Sequence, residues 1–429
     1  MPGHCRTDLW DEPWPILEED DRAAMDRVMR RRVFWGFSHP EVARMERAYA
    51  SYVGARFCVG VGSGTAALHV SLSALGVGPG DEVIVPALTF SGTAAAVLHA
   101  QGIPVFADIC EDTYNIDARD AAHRITERTK AIVAVHLHGN PADMNALREL
   151  ARRRSLALVE DAAQAVGSSY QGRKVGSLGD VACASIMPLK NLASVGEGGL
   201  LTTDSDDVHS IAVRMRSFGE DTTGPSGERV YDSKILGWNY RLSPFVAAVA
   251  KSQLSRLDEY NETRRASAKT ISDALAQTSV FSPPIEQDRS RHVYHLYRFS
   301  IRTDILAPEL PAHALRDAVK DTLLAEGIPT GQYQTVPVPE QTLFRARVGH
   351  GRGCPWTCPF GRRAPAEPDA FPQTQRVLDR TLVLFLHNPG ALVTATKHMG
   401  LVAHAFQKMA ENRKSIVARA AESVRRPGA

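Results

Sequence analysis

Between about residues 41 and 204 short apolar runs alternate with segments of helical period, and few folds accept that pattern. The runs are Val83-Ile84-Val85, Ile103-Pro104-Val105-Phe106, Ala131-Ile132-Val133-Ala134-Val135 and Leu156-Ala157-Leu158-Val159. Each is too short for a helix and apolar on consecutive residues, so both faces of the strand it forms must be buried. Helical periodicity fills 41–52, ending near Gly54, then 65–75, ending at Gly76, and also 92–101 and 143–154. Strands and helices in alternation build a largely parallel sheet with helices on both faces. The expected fold class is α/β, with a mostly parallel central sheet whose ligands collect at the carboxyl ends of the strands. Two further runs, 181–186 and 199–203, are expected to lie beside each other as strands.

Ser243-Pro244 opens a long predicted helix over 245–257, with serine as N-cap and proline in the first turn. It continues through 259–275 and leads into a second domain. The expected organisation is an N-terminal arm (1–40), a large domain (41–265) and a smaller α+β C-terminal domain (266–429), which the 429 residues accommodate. The C-terminal part carries an alternating segment at 292–301, a Gly/Pro/Arg-rich loop at 349–372 and an apolar helix at 393–409. The arginines between 413 and 426 read as decoration of a fraying terminus.

Lysine and arginine total 50 against 48 acids, so no net field favours nucleic acid or a membrane surface. No run approaches the ~20 apolar residues that span a bilayer, and residues 1–21 lack the apolar stretch of a signal peptide. The cysteines at 5, 58, 110, 183, 354 and 358 have no framework spacing, which points to a reducing, cytoplasmic setting. Cys354 and Cys358 form the one close pair. With only His350 nearby and no second doublet, a zinc site is not expected.

Three motifs fall where such a sheet presents its strand ends. Gly60-Val61-Gly62-Ser63-Gly64-Thr65 precedes a helix and reads either as a phosphate cradle at its positive end or as a tight strand-to-helix turn. Its glycine spacing lacks the third glycine of a dinucleotide fingerprint. Glu160-Asp161 closes an apolar strand. Neighbouring strand residues point to opposite faces, so only one of the two acids reaches a given site, and either a site or a structural pairing remains open. Ser185 and Lys190 then precede Gly196-Glu197-Gly198-Gly199, glycines that let backbone approach closely. A lysine between a strand-end acid and a glycine-rich turn is suited to hold an aldehyde cofactor by a Schiff base while the acid tunes its ring. Pyridoxal 5'-phosphate (PLP) has these requirements.

The motifs also resemble a family in order. Ser63-Gly64-Thr65-Ala66-Ala67-Leu68, Gly80-Asp81-Glu82-Val83-Ile84-Val85-Pro86 and Thr89-Phe90 are similar to the first half of the DegT/StrS-type keto-sugar and cyclitol aminotransferases. His136-Leu137-His138-Gly139, Glu160-Asp161-Ala162-Ala163-Gln164, Lys190-Asn191, Gly196-Glu197-Gly198-Gly199 and Gly237-Trp238-Asn239-Tyr240-Arg241 continue the likeness. It implies PLP fold type I and a homodimer with interface active sites. By resemblance Gly64 and Thr65 take the phosphate with help from Ser185, and Phe90 stacks on the ring. Asp161 pairs with the ring nitrogen, Gln164 sits near the 3-hydroxyl, Lys190 forms the Schiff base and moves the proton, and Asn239 reaches the neighbouring subunit's phosphate. From the residues alone Phe90 reads as a core aromatic and Asn239 as a turn residue.

The resemblance implies transfer of an amino group from glutamate or glutamine to a cyclic ketone, such as a nucleotide-linked keto-sugar or keto-cyclitol, in specialised, antibiotic-type biosynthesis. Two departures stand out. Met187-Pro188-Leu189 precedes the lysine where the family commonly has threonine or serine, and Gln332-Tyr333-Gln334-Thr335-Val336-Pro337 replaces a histidine-bearing stretch. With Gly351-Arg352-Gly353-Cys354-Pro355-Trp356 the second departure resembles the branch acting on cyclitols and other carbocyclic ketones. Dehydratase relatives carry histidine at the lysine position, which Lys190 argues against; a catalytically silent partner or regulatory protein is the other alternative.

Overall fold

The computed structural model describes residues 7–34, 39–221, 231–357, 359–360 and 370–425. The chain begins with α1 (Glu19–Arg31) and α2 (Pro40–Val53), which His39 caps by accepting the Glu41 N–H and Gly54 ends at φ 81°. Next come β1 (Phe57–Val61), α3 (Gly64–Ala74), β2 (Glu82–Pro86), α4 (Ser91–His99) and β3 (Ile103–Ala107). They are followed by α5 (Ala118–Arg124), β4 (Thr129–Val135), α6 (Met144–Arg154) and β5 (Ala157–Asp161). Two short strands, β6 (Ser169–Tyr170) and β7 (Arg173–Lys174), lead to β8 (Val181–Ser185), β9 (Gly199–Thr203) and α7 (Asp206–Met215).

Among the described residues the main sheet has seven strands in the order β1-β9-β8-β5-β4-β2-β3. The stretch β8-β5-β4-β2-β3 is parallel, whereas β9 pairs antiparallel with both β8 and β1. This is the expected α/β architecture with a mostly parallel central sheet, and the strands expected at 181–186 and 199–203 are neighbours. The period of two is visible in the packing. Val83, Val85, Ala131, Val133 and Val135 join the core on one face, with Ile84, Ile132 and Ala134 in the core on the other. Runs apolar at every position are what a sheet covered on both sides requires.

The helix beginning at Ser243 is two helices, α8 (Pro244–Leu254) and α9 (Leu257–Ala276). Ser255 and Arg256 close with i→i−3 bonds, and the Ser255 hydroxyl donates to the Ser252 carbonyl, which takes an acceptor away from the helical ladder. Ser243 stands at the N-cap position, but its side chain makes no capping bond. Leu257 packs with the α2 core, while Ala268, Ile271 and Leu275 enter a second core, so α9 joins the two.

The second core is built on β10 (Phe281–Ser282), β12 (Tyr297–Ile301), β13 (Thr330–Gly331) and β14 (Thr381–Leu384), all antiparallel in the order β10-β12-β14-β13. Short β11 (Ser290–Arg291) pairs with β6 instead. The alternating segment 292–301 is a strand only in its second half. Tyr294 sits at φ 44° and gives its N–H to His292 Nδ1, so those residues leave the ladder. The expected helix at 393–409 is likewise broken: Ala391–Thr394, a 3-10 turn at Thr396–His398, then Met399–Glu411. The N-terminal segment grips that turn, with Lys397 paired to Glu12 and His398 edge-on to Trp10.

Trp10 is a core residue of this second body and donates from Nε1 to the Gly327 carbonyl at 2.7 Å. Residues Arg413–Arg425 do not fray; they form a helix whose Ile416 and Ala420 are buried in the same core. Arg426, Cys5, Cys358 and residues 361–369 of the Gly/Pro/Arg-rich loop lie outside the described residues. His350 Nε2 is 2.7 Å from the Leu98 carbonyl and donates to it. No helix among the described residues is long and apolar enough to cross a membrane.

Candidate active site

A cavity of about 300 Å³ opens at the carboxyl ends of β5 and β8, where the parallel strands meet the start of α3. Gly64, Thr65, Phe90, Asp161, Gln164, Ser185 and Lys190 all line it. The glycine motif is both things its sequence allowed. Ser63 caps α3 by accepting the Ala66 N–H at 3.1 Å, leaving the first helical residues at the cavity. A Cβ on Gly64 would lie 2.9 Å from Ser185 Cβ, so only glycine lets the helix start press against the end of β8. A Cβ on Gly199 would lie 2.1 Å from the Ser63 carbonyl oxygen, so the backbone that the second glycine run admits is that of Ser63-Gly64.

The strand rule separates the two acids at the end of β5. Glu160 is buried on the side away from the cavity and accepts the N–H groups of Leu178 (2.6 Å), Gly179 (2.8 Å) and Gly176 (3.0 Å), together with His136 Nε2 at 3.1 Å. Burial alone would push its carboxyl up, but His136 and the backbone donors outweigh it and hold the group below its ordinary value. Asp161 faces the cavity. Its Oδ2 accepts from Thr93 Oγ1 at 2.7 Å and its Oδ1 from the Ala163 N–H at 3.1 Å, which leaves carboxylate lone pairs for a donor in the cavity.

Lys190 stands across the same space. Part of its surface opens to the cavity, and its Nζ makes no hydrogen bond or ion pair among the described residues. The protein around it excludes bulk water, and this desolvation lowers its pKa against the opposing pull of Asp161 and Glu197. A lowered pKa raises the fraction of neutral amine that can attack a carbonyl. Phe90 is not a core aromatic. The residue is 58% exposed and lines the cavity, and a Cβ on Gly92 would lie 3.0 Å from its ring.

Gln164 reaches two ways: Oε1 accepts the His138 N–H at 2.8 Å, and Nε2 donates to the Tyr333 hydroxyl at 3.1 Å. Burial pushes the Tyr333 phenol up to about 12, with Asp161 adding to the shift. Next to it Gln334 accepts from Arg298 Nη2 at 2.6 Å, and Arg298 Nε donates to His138 Nε2 at 3.0 Å. Burial, reinforced by Arg298, pushes the His138 imidazole well below its ordinary pKa, so it stays neutral and accepts that bond. The segment that departs from the family pattern thus supplies one cavity residue, Tyr333, and one buttress, Gln334.

These residues suit a planar aromatic aldehyde with a phosphate at one end. The helix start with Ser185 offers donors to an anion, Phe90 offers an uncovered ring face, and Asp161 and the unpaired Lys190 amine stand on the walls.

The sequence profile of the DegT/DnrJ/EryC1/StrS aminotransferase family matches residues 15–387. The chain belongs to this family. Among curated proteins the aminotransferase is 35% identical to the L-glutamine:2-deoxy-scyllo-inosose aminotransferase of Streptomyces fradiae, over 94% of this chain and 95% of that one. It is also 35% identical to the "Pleiotropic regulatory protein" of Geobacillus stearothermophilus, over 88% of this chain and 97% of the relative. The crystal structure of S. venezuelae DesV superposes with a TM-score of 0.74 at 32% identity, covering 90% of this chain and 93% of that one.

Asn239 is the one sequence-predicted site residue that does not line the aminotransferase's cavity. It is exposed, bridges to Ser217 and accepts from Arg241 Nε at 3.0 Å. Thr93, His295 and Tyr333 line the cavity without having been expected from sequence. Thr93 carries a faint local signal, one helical turn beyond Phe90; Tyr333 lies in the departing 332–337 segment, which the sequence marks without assigning it to the cavity; His295 carries none, because its neighbours in the site are distant in sequence.

Proposed function

We propose that this aminotransferase binds PLP through Lys190 and moves an amino group from glutamine or glutamate to a cyclic ketone. The observation that carries the reading is one cavity lined by Lys190, Asp161, the exposed Phe90 ring and the Gly64–Ser185 contact. When bound, PLP supplies the electron sink for a carbanion at the carbon that carries the amino group.

The chain's residues supply binding and proton control. Gly64, Thr65 and Ser185 hold the phosphate, and Phe90 covers the ring. Asp161, itself oriented by Thr93 and the Ala163 amide, holds a proton on the ring nitrogen. Gln164, kept in place by His138 and Tyr333, would serve the ring hydroxyl. The Lys190 amine would form the covalent anchor and, once free, would take the proton of the substrate carbon onto Nζ and give it back from that atom. The Streptomyces fradiae relative acts by name on a keto-cyclitol, and a dTDP-3-amino-3,4,6-trideoxy-alpha-D-glucose transaminase of Streptomyces venezuelae is 35% identical over 84% of this chain. Both names support a cyclic ketone, and we extend the reading to specialised biosynthesis in the cytoplasm. We also propose a homodimer in which the exposed Asn239 serves the partner subunit's phosphate site.

The purified protein is expected to be yellow and to lose its visible band on borohydride reduction, with the label on Lys190. Lys190→Ala is expected to lose the covalent label and turnover. Protein that never takes up added PLP defeats the reading. The regulatory name of the Geobacillus relative favours a second reading, a silent PLP-binding partner. That protein would hold PLP yet show no spectral conversion with any amino donor.

A further inference from the structure

The turn that carries Lys190 belongs to no strand or helix, and its main chain is held from the far end of the sequence. The Lys190 N–H closes the turn on the Met187 carbonyl at 2.9 Å, while the Lys190 carbonyl accepts from Trp14 Nε1 at 3.2 Å. That indole is the carbonyl's one hydrogen-bond partner among the described residues. Trp14 itself has little freedom. Its ring lies edge-on to Tyr260 of α9, with centroids 5.4 Å apart, and the Arg264 guanidinium sits 4.8 Å over its centroid. Arg264 is fully buried and donates from Nη1 to the Pro389 carbonyl. Its Nε and Nη2 have no partner among the described residues, so the electron-rich indole face is what lies against its charge. A Cβ on Gly390 would lie 2.3 Å from Trp14 Cβ, so only glycine admits the side chain there.

The segment bearing Trp14 is anchored at both ends. Trp10 is buried in the second core, and Asn388 Nδ2 donates to its carbonyl at 2.6 Å. Two residues past Trp14, the Ile16 carbonyl accepts from Gln253 Nε2 of α8 at 2.9 Å. Asp21 Oδ2 then accepts from the same Gln253 nitrogen at 3.0 Å and from Arg256 Nη2 at 2.6 Å. Residues 10–21 thus run as a strap from the second core to α8, and Trp14 is where the strap touches the Lys190 turn. Leu386 and Pro389, from the stretch that ends at Gly390, line the cavity.

We infer that Trp14 is a positioning residue: its indole N–H holds the Lys190 carbonyl and so fixes the main chain from which the anchoring amine reaches the cavity. This rests on the reading of Lys190 as the cofactor-anchoring amine. An amine carried on a turn is placed no better than the main chain of that turn, and a displacement of about 1 Å is enough to slow a reaction about a hundredfold. The strap supplies a restraint that the turn, with no sheet ladder of its own, does not.

The test uses the full chain and two substitutions that divide the indole between them. Imidazole superposes on the five-membered half of indole with Nε2 where Nε1 stood, so Trp14→His keeps the N–H and discards the outer ring. Trp14→Phe keeps a six-membered apolar ring and discards the N–H. Hydrogen–deuterium exchange of cofactor-free protein reads the turn. Peptides covering 187–194 are expected to exchange about three- to tenfold faster in Trp14→Phe than in wild type, the worth of one net hydrogen bond. In Trp14→His they are expected to stay within about twofold of wild type. The rate at which added PLP becomes trapped on Lys190 by borohydride is expected to follow the same order, slower by about threefold or more in Trp14→Phe alone. A role in packing predicts the reverse order, because phenylalanine retains more of the ring. Wild-type exchange and trapping in Trp14→Phe, or a Trp14→His protein impaired at least as much, overturns the inference. Should Trp14→Phe fail to fold, the wild type still decides through its nitrogen-labelled indole NMR signals, with Trp14 assigned by its absence in Trp14→His. A Trp14 indole proton exchanging as fast as a solvent-exposed one overturns the inference. Absence of any PLP adduct on wild-type Lys190 reports failure of the cofactor reading, separately from the exchange data, which need no PLP.

Discussion

Glu160→Gln separates the two neighbouring acids by experiment. The wild-type carboxylate accepts four hydrogen bonds, from Leu178 and Gly179 on Oε1 and from Gly176 and His136 on Oε2. His136 cannot turn away, because its Nδ1 accepts the Ala142 N–H at 3.0 Å and its hydrogen is thereby committed to Nε2. A glutamine side chain has one acceptor oxygen and one NH2 group, which faces donors it cannot satisfy. Two of the four buried donors lose their partner, each at a cost of about 1–3 kcal/mol, so the variant should lose about 2–6 kcal/mol. Measured against the ~5–15 kcal/mol by which proteins are stable, that loss is large. Denaturant unfolding at neutral pH, followed by far-UV circular dichroism, measures it. The acid side gives a second check. Glu160 is held below its ordinary pKa in the folded state, so its contribution is complete above the unfolded value and disappears as pH falls through the folded one. The gap between wild type and variant should close in acid. A variant within about 0.5 kcal/mol of wild type at neutral pH refutes the reasoning.

Asp161→Asn should leave unfolding nearly unchanged, since an amide oxygen keeps the Thr93 or the Ala163 bond, while turnover falls by about two orders of magnitude; steady-state kinetics beside a denaturant curve tells the two effects apart. Phe90→Ala removes a ring that is 58% exposed, so it should cost less than about 1 kcal/mol of stability yet weaken PLP retention by about tenfold, read by equilibrium dialysis. Gly64→Ala places a methyl 2.9 Å from Ser185 Cβ and should cost about 1–3 kcal/mol by overpacking, together with a loss of phosphate-dependent PLP uptake. Normal uptake by a stable Gly64→Ala protein would show that the helix start is not the cradle.

The sheet was legible because its signal is local. Consecutive apolar residues at 83–85 and 131–135 announce strands covered on both faces, and the packing places alternate residues in opposite cores. Helix continuity was less legible. The periodicity across 245–275 and 393–409 is helical throughout, but Ser255 diverts a backbone acceptor and the turn at Thr396–His398 is held by Trp10 and Glu12. Periodicity reports which face is apolar and does not register a side chain that competes for the ladder, still less a contact from the far end of the chain.

The site divides along the same line. Motifs that combine a turn with a reactive group, such as Gly60 to Thr65 and Ser185 to Lys190, place their residues through local geometry, and the structure brings them to one cavity. The residues that orient those groups come from elsewhere: Thr93 lies 68 positions before Asp161, and Trp14 lies 176 before Lys190. A hydrogen bond depends on tenths of an ångström and on which atom carries the proton, and neither is encoded in spacing. What sequence can say of Asp161 is that strand alternation gives it a different neighbourhood from Glu160. That one carboxylate meets four donors and the other a half-open cavity follows only once the turn at Gly176–Gly179 has folded over one side of β5 and left the other side to Lys190.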